Sequence, residues 1–198
     1  MNSNCDTHTS IRNCLKHDVF ETIHKDTVFE RDNKLYQYMR NHISDFVQNS
    51  IKEHKHKLIL EIGPRDKPNE ELSRENVVET MDICQRENVT YVADITKPND
   101  VPNERFDIIY CLDVLEHTYE PWEGLQQMYK YLKPGGLLYL SLPFQFRIHG
   151  PIPDCYRISE YGLKYLIQKY KYEIIEMNAL IDNERPAFPI SYTVVCRK

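Results

Sequence analysis

Four apolar runs in this 198-residue sequence each close on residues suited to holding a polar ligand. Glu61-Ile62-Gly63-Pro64-Arg65-Asp66 closes the first. Asp82 closes the second, 19 positions beyond Gly63 (82 minus 63). Asp94 closes the third, and Leu112-Asp113-Val114-Leu115-Glu116-His117 follows the fourth. A glycine directly after a strand lets the backbone turn sharply and approach a ligand closely. A carboxylate about 20 residues further on is spaced to accept hydrogen bonds from a ribose diol. Each feature alone has a plain reading as a turn or a cap. The four in order are much more specific.

Two histidines stand beside them. His117 lies just past the fourth run, and His149 follows the fifth in a loop with Asp154, Tyr156 and Arg157. Histidine is the natural proton acceptor near neutral pH, and a positioned base accelerates transfer from a hydroxyl by about 10²–10⁴-fold. His117, His149 and Asp154 are therefore the catalytic candidates. The structural alternatives are a loop-closing histidine before Pro121 and ordinary caps in a proline-rich turn. Tyr156 and Arg157 suit acceptor recognition, and Arg147, Arg157 and Arg185 are cations open to an anionic acceptor. Glu116 and Asp113 read as holding loops or ligand rather than moving protons.

No metal site is expected. The cysteines at 5, 14, 84, 111, 155 and 196 form no C-x-x-C pair and do not cluster with histidines at zinc-like spacing. They read as reduced thiols in an intracellular, cytoplasmic protein. His54 and His56, with lysine neighbours, read as a solvated helix end.

In an open α/β sheet, ligands bind beyond the carboxyl ends of the strands, so these residues need strands before them. Short apolar strands are predicted at Lys57–Ile62, Asn76–Asp82, Val89–Asp94, Phe106–Leu112, Leu137–Leu142, Tyr172–Met177 and Ser191–Cys196. Their near-continuous apolar character implies a sheet buried on both faces. A helix is predicted over Asn33–Glu53, with Tyr36, Met39, Ile43, Phe46, Val47 and Ile51 on one face. Another starts at Pro121, which suits a first helical turn, and is ended by Pro134-Gly135-Gly136. Ser159 is the N-cap of a third. Connections between strands two and three, and three and four, are short, so the helices there are shortened or missing. Strand–helix alternation predicts a doubly wound, mostly parallel sheet. Residues 1–32 read as a flexible tail and 33–198 as one domain, with a helical segment at 33–56 and an α/β core at 57–198.

Composition narrows the classes. The formal charge is -5 and the pI about 5.9, which weighs against a broad phosphate-binding surface for nucleic acid. The sequence has no run of about 18 apolar residues, so no membrane span is indicated. Met1–His17 lacks an apolar signal core, and Asn2 breaks the myristoylation pattern.

Over residues 57 to 197 the chain resembles the class I S-adenosylmethionine-dependent methyltransferases, in particular the small methyltransferase-domain group. Leu58-Ile59-Leu60-Glu61-Ile62-Gly63 looks like the family's first motif, Asp82 its ribose-binding acid, and Ala93-Asp94-Ile95 its adenine-contacting segment. Phe106 through His117 resembles the fourth-strand motif, and Leu132-Lys133-Pro134-Gly135-Gly136 the turn before strand five; these two are the most specific. His149 through Arg157 resembles a segment of members that accompany glycan or secondary-metabolite pathways. The first motif departs from the pattern, because Arg65 and Lys67 stand where further glycines are usual. That argues against a dinucleotide, whose pyrophosphate needs close backbone approach. Arg65 reads either as a contact to the cofactor's carboxylate or as a solvated loop residue.

The resemblance implies a Rossmann-like α/β fold of seven strands, mostly parallel, with helices on both faces and the last strand antiparallel. It implies S-adenosylmethionine as cofactor, held by Glu61, Gly63, Pro64, Arg65, Asp82, Asp94, Ile95 and Leu112. The expected activity is O-methylation of a small hydroxylated acceptor such as a nucleotide-linked sugar, with a homodimer left open. The alternatives are a protein or nucleic-acid methyltransferase and a non-catalytic methyltransferase-like partner subunit. Asp113-Val114-Leu115-Glu116 stands where nucleic-acid N-methyltransferases carry an Asn/Asp-Pro-Pro-aromatic motif, which weighs against that class.

Overall fold

The computed structural model describes residues 30–64, 67–149, 153–183 and 185–198, with the side chains of 30–33 left aside. The tail at 1–29 and Arg65 lie outside the described residues. Helix α1 spans Glu30–Glu53 and is followed by β1 (Leu58–Ile62), a one-turn α2 (Glu70–Ser73), β2 (Val77–Asp82), β3 (Tyr91–Val92) and β4 (Phe106–Leu112). After a 3-10 turn at Leu115–His117 come α3 (Pro121–Tyr131), β5 (Leu132–Pro143), α4 (Glu160–Lys169), β6 (Glu173–Ile181) and β7 (Pro189–Arg197).

All seven strands form one sheet in the order β3-β2-β1-β4-β5-β7-β6. The pairs from β3 to β5 are parallel, and β7 runs antiparallel to both β5 and β6. The expected seven-stranded architecture and its antiparallel last strand are present.

Alternate residues of the central strands face opposite layers, as the two-residue period of a strand requires. Ile109 and Cys111 of β4 pack with Leu125 and Met128 of α3 and with Leu163 and Ile167 of α4. Ile108 and Tyr110 face the other way, toward Val47 of α1 and Leu72 of α2. Met39, Ile43 and Val47 of the expected α1 face are buried, while Tyr36, Phe46 and Ile51 are half-buried. Polar contacts also join this helix to the sheet: the Ser50 hydroxyl lies 2.6 Å from Tyr110 Oη and donates to the Val47 carbonyl at 2.7 Å, and His42 Nε2 lies 3.4 Å from Thr193 Oγ1.

Several element bounds depart from expectation. Helix α1 begins at Glu30, because its polar first turn, Glu30-Arg31-Asp32, carries no apolar periodicity to mark it. Strand β3 holds two residues rather than the six of Val89–Asp94. It is an edge strand, and short edges limit unwanted pairing. Helix α3 ends at Tyr131, before Pro134-Gly135-Gly136. That tripeptide sits inside β5 as an irregularity: Leu132 pairs with Phe106, then Leu137 with Ile108. Gly135, at φ +77, donates its N–H to the carbonyl of Lys198 at 3.0 Å, and Lys198 donates back to Gly136 at 2.9 Å. The turn therefore anchors the last residue. Strands β6 and β7 extend beyond their apolar runs because each pairs with the other. Ser159 caps α4 as expected, accepting from the Gly162 N–H.

Among the cysteines, Cys111, Cys155 and Cys196 are free. Cys84 is disulfide-bonded, which corrects the expectation of reduced thiols throughout. His54 is not simply solvated, since its Nε2 lies 2.8 Å from Tyr139 Oη. No helix among the described residues is long and apolar enough to cross a membrane.

Candidate functional site

The strand order reverses between β1 and β4, and the carboxyl ends of such neighbours open a crevice. Gly63 follows β1 at φ +69, donating its N–H to the Met81 carbonyl at 2.8 Å. A Cβ at this position would meet Val114 Cγ2 at 2.7 Å. Two constraints thus demand glycine: the left-handed backbone and the close approach of the turn after β4. Gly63→Ala is expected to cost about 1–3 kcal/mol of stability from the backbone strain alone, read as a lowered urea midpoint with unchanged slope.

The crevice is a cavity of about 230 Å³ across the tips of β1, β2 and β4. Of the expected cofactor residues, Gly63, Asp82, Asp94 and Ile95 line it, and His117 stands at its end. Glu61, Pro64 and Leu112 do not line it. The Glu61 carboxylate instead accepts the Asn69 N–H through both oxygens, at 3.2 and 2.9 Å, tying the loop after β1 to its strand. Burial pushes the Glu61 carboxyl up, partly offset by that N–H.

Asp82 is buried, with one oxygen accepting from the Cys84 N–H at 2.9 Å and the other from Arg86 at 2.9 Å. A carboxylate has roughly four acceptor sites, so capacity remains for a diol. Asp94 accepts from both the N–H and hydroxyl of Thr96, at 2.8 and 2.7 Å, which makes it the cap of its own turn as well as a wall of the cavity. Ile83 and Val114 also line the cavity, although neither stands out in the sequence. The signal was position only, since each directly follows a strand-end acid.

A second cluster adjoins this crevice. The loop after β5 docks on the 3-10 turn after β4 through backbone bonds: Cys155 N–H donates to the Glu116 carbonyl at 2.7 Å, and Tyr156 N–H to the same oxygen at 3.3 Å. His117 Nδ1 lies 2.8 Å from the Pro153 carbonyl. His149 is thereby brought against His117, their ring centroids 4.8 Å apart.

His149 Nδ1 lies 2.9 Å from Asp154 Oδ2. Arg157 reaches both oxygens of Asp154 and also bonds the carbonyls of Phe146, Arg147 and Tyr156. Burial pushes the Asp154 carboxyl up, but hydrogen bonds from Arg157 and His149 hold it well below the usual carboxylate range. Arg157, expected at the acceptor, is thus the clamp of Asp154. Tyr156 packs edge-on against Trp122, centroids 6.1 Å apart, and donates its hydroxyl to the Tyr119 carbonyl at 3.0 Å.

The residue that sequence reasoning underrated is Glu116. Its side chain is 0% exposed, and neither carboxylate oxygen has a hydrogen-bond partner. Burial drives its carboxyl well above the ordinary value, with Asp113 and Asp154 pushing the same way, against its own backbone N–H and Arg157. Its Oε1 lies 3.6 Å from His117 Nε2 and 3.9 Å from His149 Nε2. Chemically, a crevice walled by a buried carboxylate with spare acceptor capacity adjoins a buried imidazole–carboxylate cluster able to manage a proton.

The methyltransferase domain family model matches residues 32–175. Ubiquinone biosynthesis O-methyltransferase from Pseudomonas putida (strain W619) is 31% identical over 65 residues, covering 33% of this chain and 25% of that enzyme. The match thus spans a quarter of the length of that curated relative. Among solved structures, the [4+2]-cyclase SpnF superposes with a TM-score of 0.58 at 16% identity, covering 78% of this chain and 80% of that one. The Burkholderia thailandensis 1,6-didemethyltoxoflavin-N1-methyltransferase, solved with 1,6-didemethyltoxoflavin and S-adenosylhomocysteine bound, superposes with a TM-score of 0.58 at 13% identity, covering 100% of this chain and 91% of that one. At such identities the structural likeness carries the fold alone, and a cyclase among these neighbours shows that the fold hosts more than one chemistry.

Proposed function

This chain belongs to the class I S-adenosylmethionine-dependent methyltransferase family, and from that premise we propose that it O-methylates a small hydroxylated acceptor bound over the Glu116–His117–His149 cluster. The family cofactor, S-adenosylmethionine, fits the crevice by one observation above all. The only backbone that allows Val114 to close on the tip of β1 is glycine at 63, and Asp82 presents a carboxylate with spare acceptor capacity to the same cavity. Gly63, by letting Val114 close on the tip of β1, would shape the cofactor crevice, Asp82 would hold its ribose diol, and Ile83 and Ile95 would wall its base. When bound, the cofactor supplies a methyl group already activated by sulfonium charge.

The chain's own residues must then position an acceptor and manage its proton. Positioning alone supplies several kcal/mol. His149 is the proposed proton acceptor. Asp154, held by Arg157, orients its ring through Nδ1 and leaves Nε2 facing the cluster. His117 stands at the boundary between cofactor crevice and cluster. Tyr156 and Trp122, packed together beside the docked loop, offer an aromatic surface for the acceptor. The choice of oxygen as the methylated atom is supported by the O-methyltransferases among the relatives. A sugar is supported only by the resemblance of the 149–157 segment.

The test is ligand-dependent stability. S-adenosylhomocysteine at about 100 times its Kd should stabilise the native state by about 2.7 kcal/mol, a Tm rise of roughly 5–10 °C for a chain of this size. No rise at millimolar ligand would overturn the reading and favour a non-catalytic subunit.

A further inference from the structure

Three acceptor groups converge on one buried point. Nδ1 of His117 faces the Pro153 carbonyl at 2.8 Å; a carbonyl only accepts, so Nδ1 carries the proton and Nε2 the lone pair. Nδ1 of His149 faces Asp154 at 2.9 Å, and Arg157 grips both oxygens of that carboxylate. This again leaves the lone pair on Nε2. Both lone pairs lie beside Glu116 Oε1, at 3.6 and 3.9 Å. The Glu116 carboxylate is fully buried with both oxygens lacking a hydrogen-bond partner. Buried acceptors gathered in this way are satisfied by a cation shared among them.

We propose that Glu116, His117 and His149 bind a divalent first-row transition ion of the zinc type. The three ligand atoms all lie within 4.8 Å of one another. Atoms sharing a tetrahedral ion at ligand distances of 2.0–2.2 Å are about 3.4 Å apart, so small side-chain rotations close the site. Two imidazoles and one carboxylate favour zinc, iron or cobalt over magnesium or calcium, which take oxygen ligands. The outer contacts also fit, since metal-bound histidines characteristically donate their second ring N–H to a carboxylate or a carbonyl. Asp154 and Pro153 occupy those two roles.

This inference rests on the proposed function and deepens it. His117 belongs to both the crevice and the cluster, so an ion here would sit where the acceptor hydroxyl is handled. A hydroxyl bound to the ion would lose its proton to solvent more readily, as zinc-bound water does at about pH 7. His149 would then act as a ligand rather than as the base. The sequence concealed the site because its third ligand is 32 positions from the second (149 minus 117).

Cobalt(II) is the probe. Chelator-treated full-length protein titrated with CoCl2 should develop visible absorbance that saturates near one equivalent and is displaced by ZnCl2. Glu116→Gln and His149→Gln should each weaken cobalt binding by about 100-fold or more, whereas the exposed His56→Gln should not change it. Glu116→Gln leaves a neutral amide of nearly the same shape in the buried site, and its retained Tm rise with S-adenosylhomocysteine would confirm that it folds. Absence of cobalt binding, or binding equally tight in both cluster variants, overturns the ion site. The S-adenosylhomocysteine shift in the same samples reports the cofactor reading separately, so the two cannot fail unnoticed together.

Discussion

His149→Ala is expected to lower turnover by about 10²–10⁴-fold, the range that a positioned acid–base group contributes, while leaving the Kd for S-adenosylhomocysteine within about twofold. The separation of effects follows from placement. His149 does not line the crevice, and it is held from outside by Asp154 and Arg157. Removing the ring leaves Asp154 still paired with Arg157, so the loop keeps its clamp and its backbone anchors at Glu116. The kinetic signature is a fall in kcat with little change in the cofactor's KM, measured with any acceptor that the wild-type protein methylates. Asp154→Asn should fall in the same direction but also loosen the loop, because Arg157 loses its charged partner. Wild-type turnover in His149→Ala would remove this residue from the mechanism, whether as base or as ion ligand.

The second large effect is on cofactor affinity. Asp82→Ala should weaken S-adenosylhomocysteine by about 100-fold or more, since two hydroxyl hydrogen bonds to a carboxylate contribute about 1.5–3 kcal/mol each. The fold should survive. Arg86, the partner left behind, has a side chain 38% exposed and can be hydrated in place. The Cys84 N–H loses its acceptor, a local cost near the crevice rather than in the core. Calorimetric titration beside a circular-dichroism melt separates binding from folding. Unchanged affinity would show that the sugar diol is held elsewhere.

These two residues differ in how far the sequence could carry them. The place of Asp82 on the crevice wall was legible because an α/β fold opens its crevice directly after strands, so spacing along the chain stands in for spacing in space. Gly63, Asp94 and Ile95 were legible for the same reason. The apolar periodicities of α1 and the central strands were equally local, and they fixed the layers. Bounds failed where pairing rather than residue type decides an end, as at β3 and β6, or where Pro134-Gly135-Gly136 proved to be an irregularity within a strand rather than a helix stop.

The mutual placement of Glu116, Arg157 and His149 was decided only by tertiary structure. The loop after β5 docks on the turn after β4 through backbone N–H groups of Cys155 and Tyr156. Every residue but proline carries such a donor, so no residue type announces the docking. That contact turns Arg157 from an acceptor-binding candidate into the clamp of Asp154, and it swings His149 over a carboxylate that reads along the chain as a loop anchor. Strand-end chemistry is thus written locally, because the fold's geometry repeats. Convergence of side chains from separate loops depends on which backbones meet, and that is settled only when the sheet has formed and both loops lie on it.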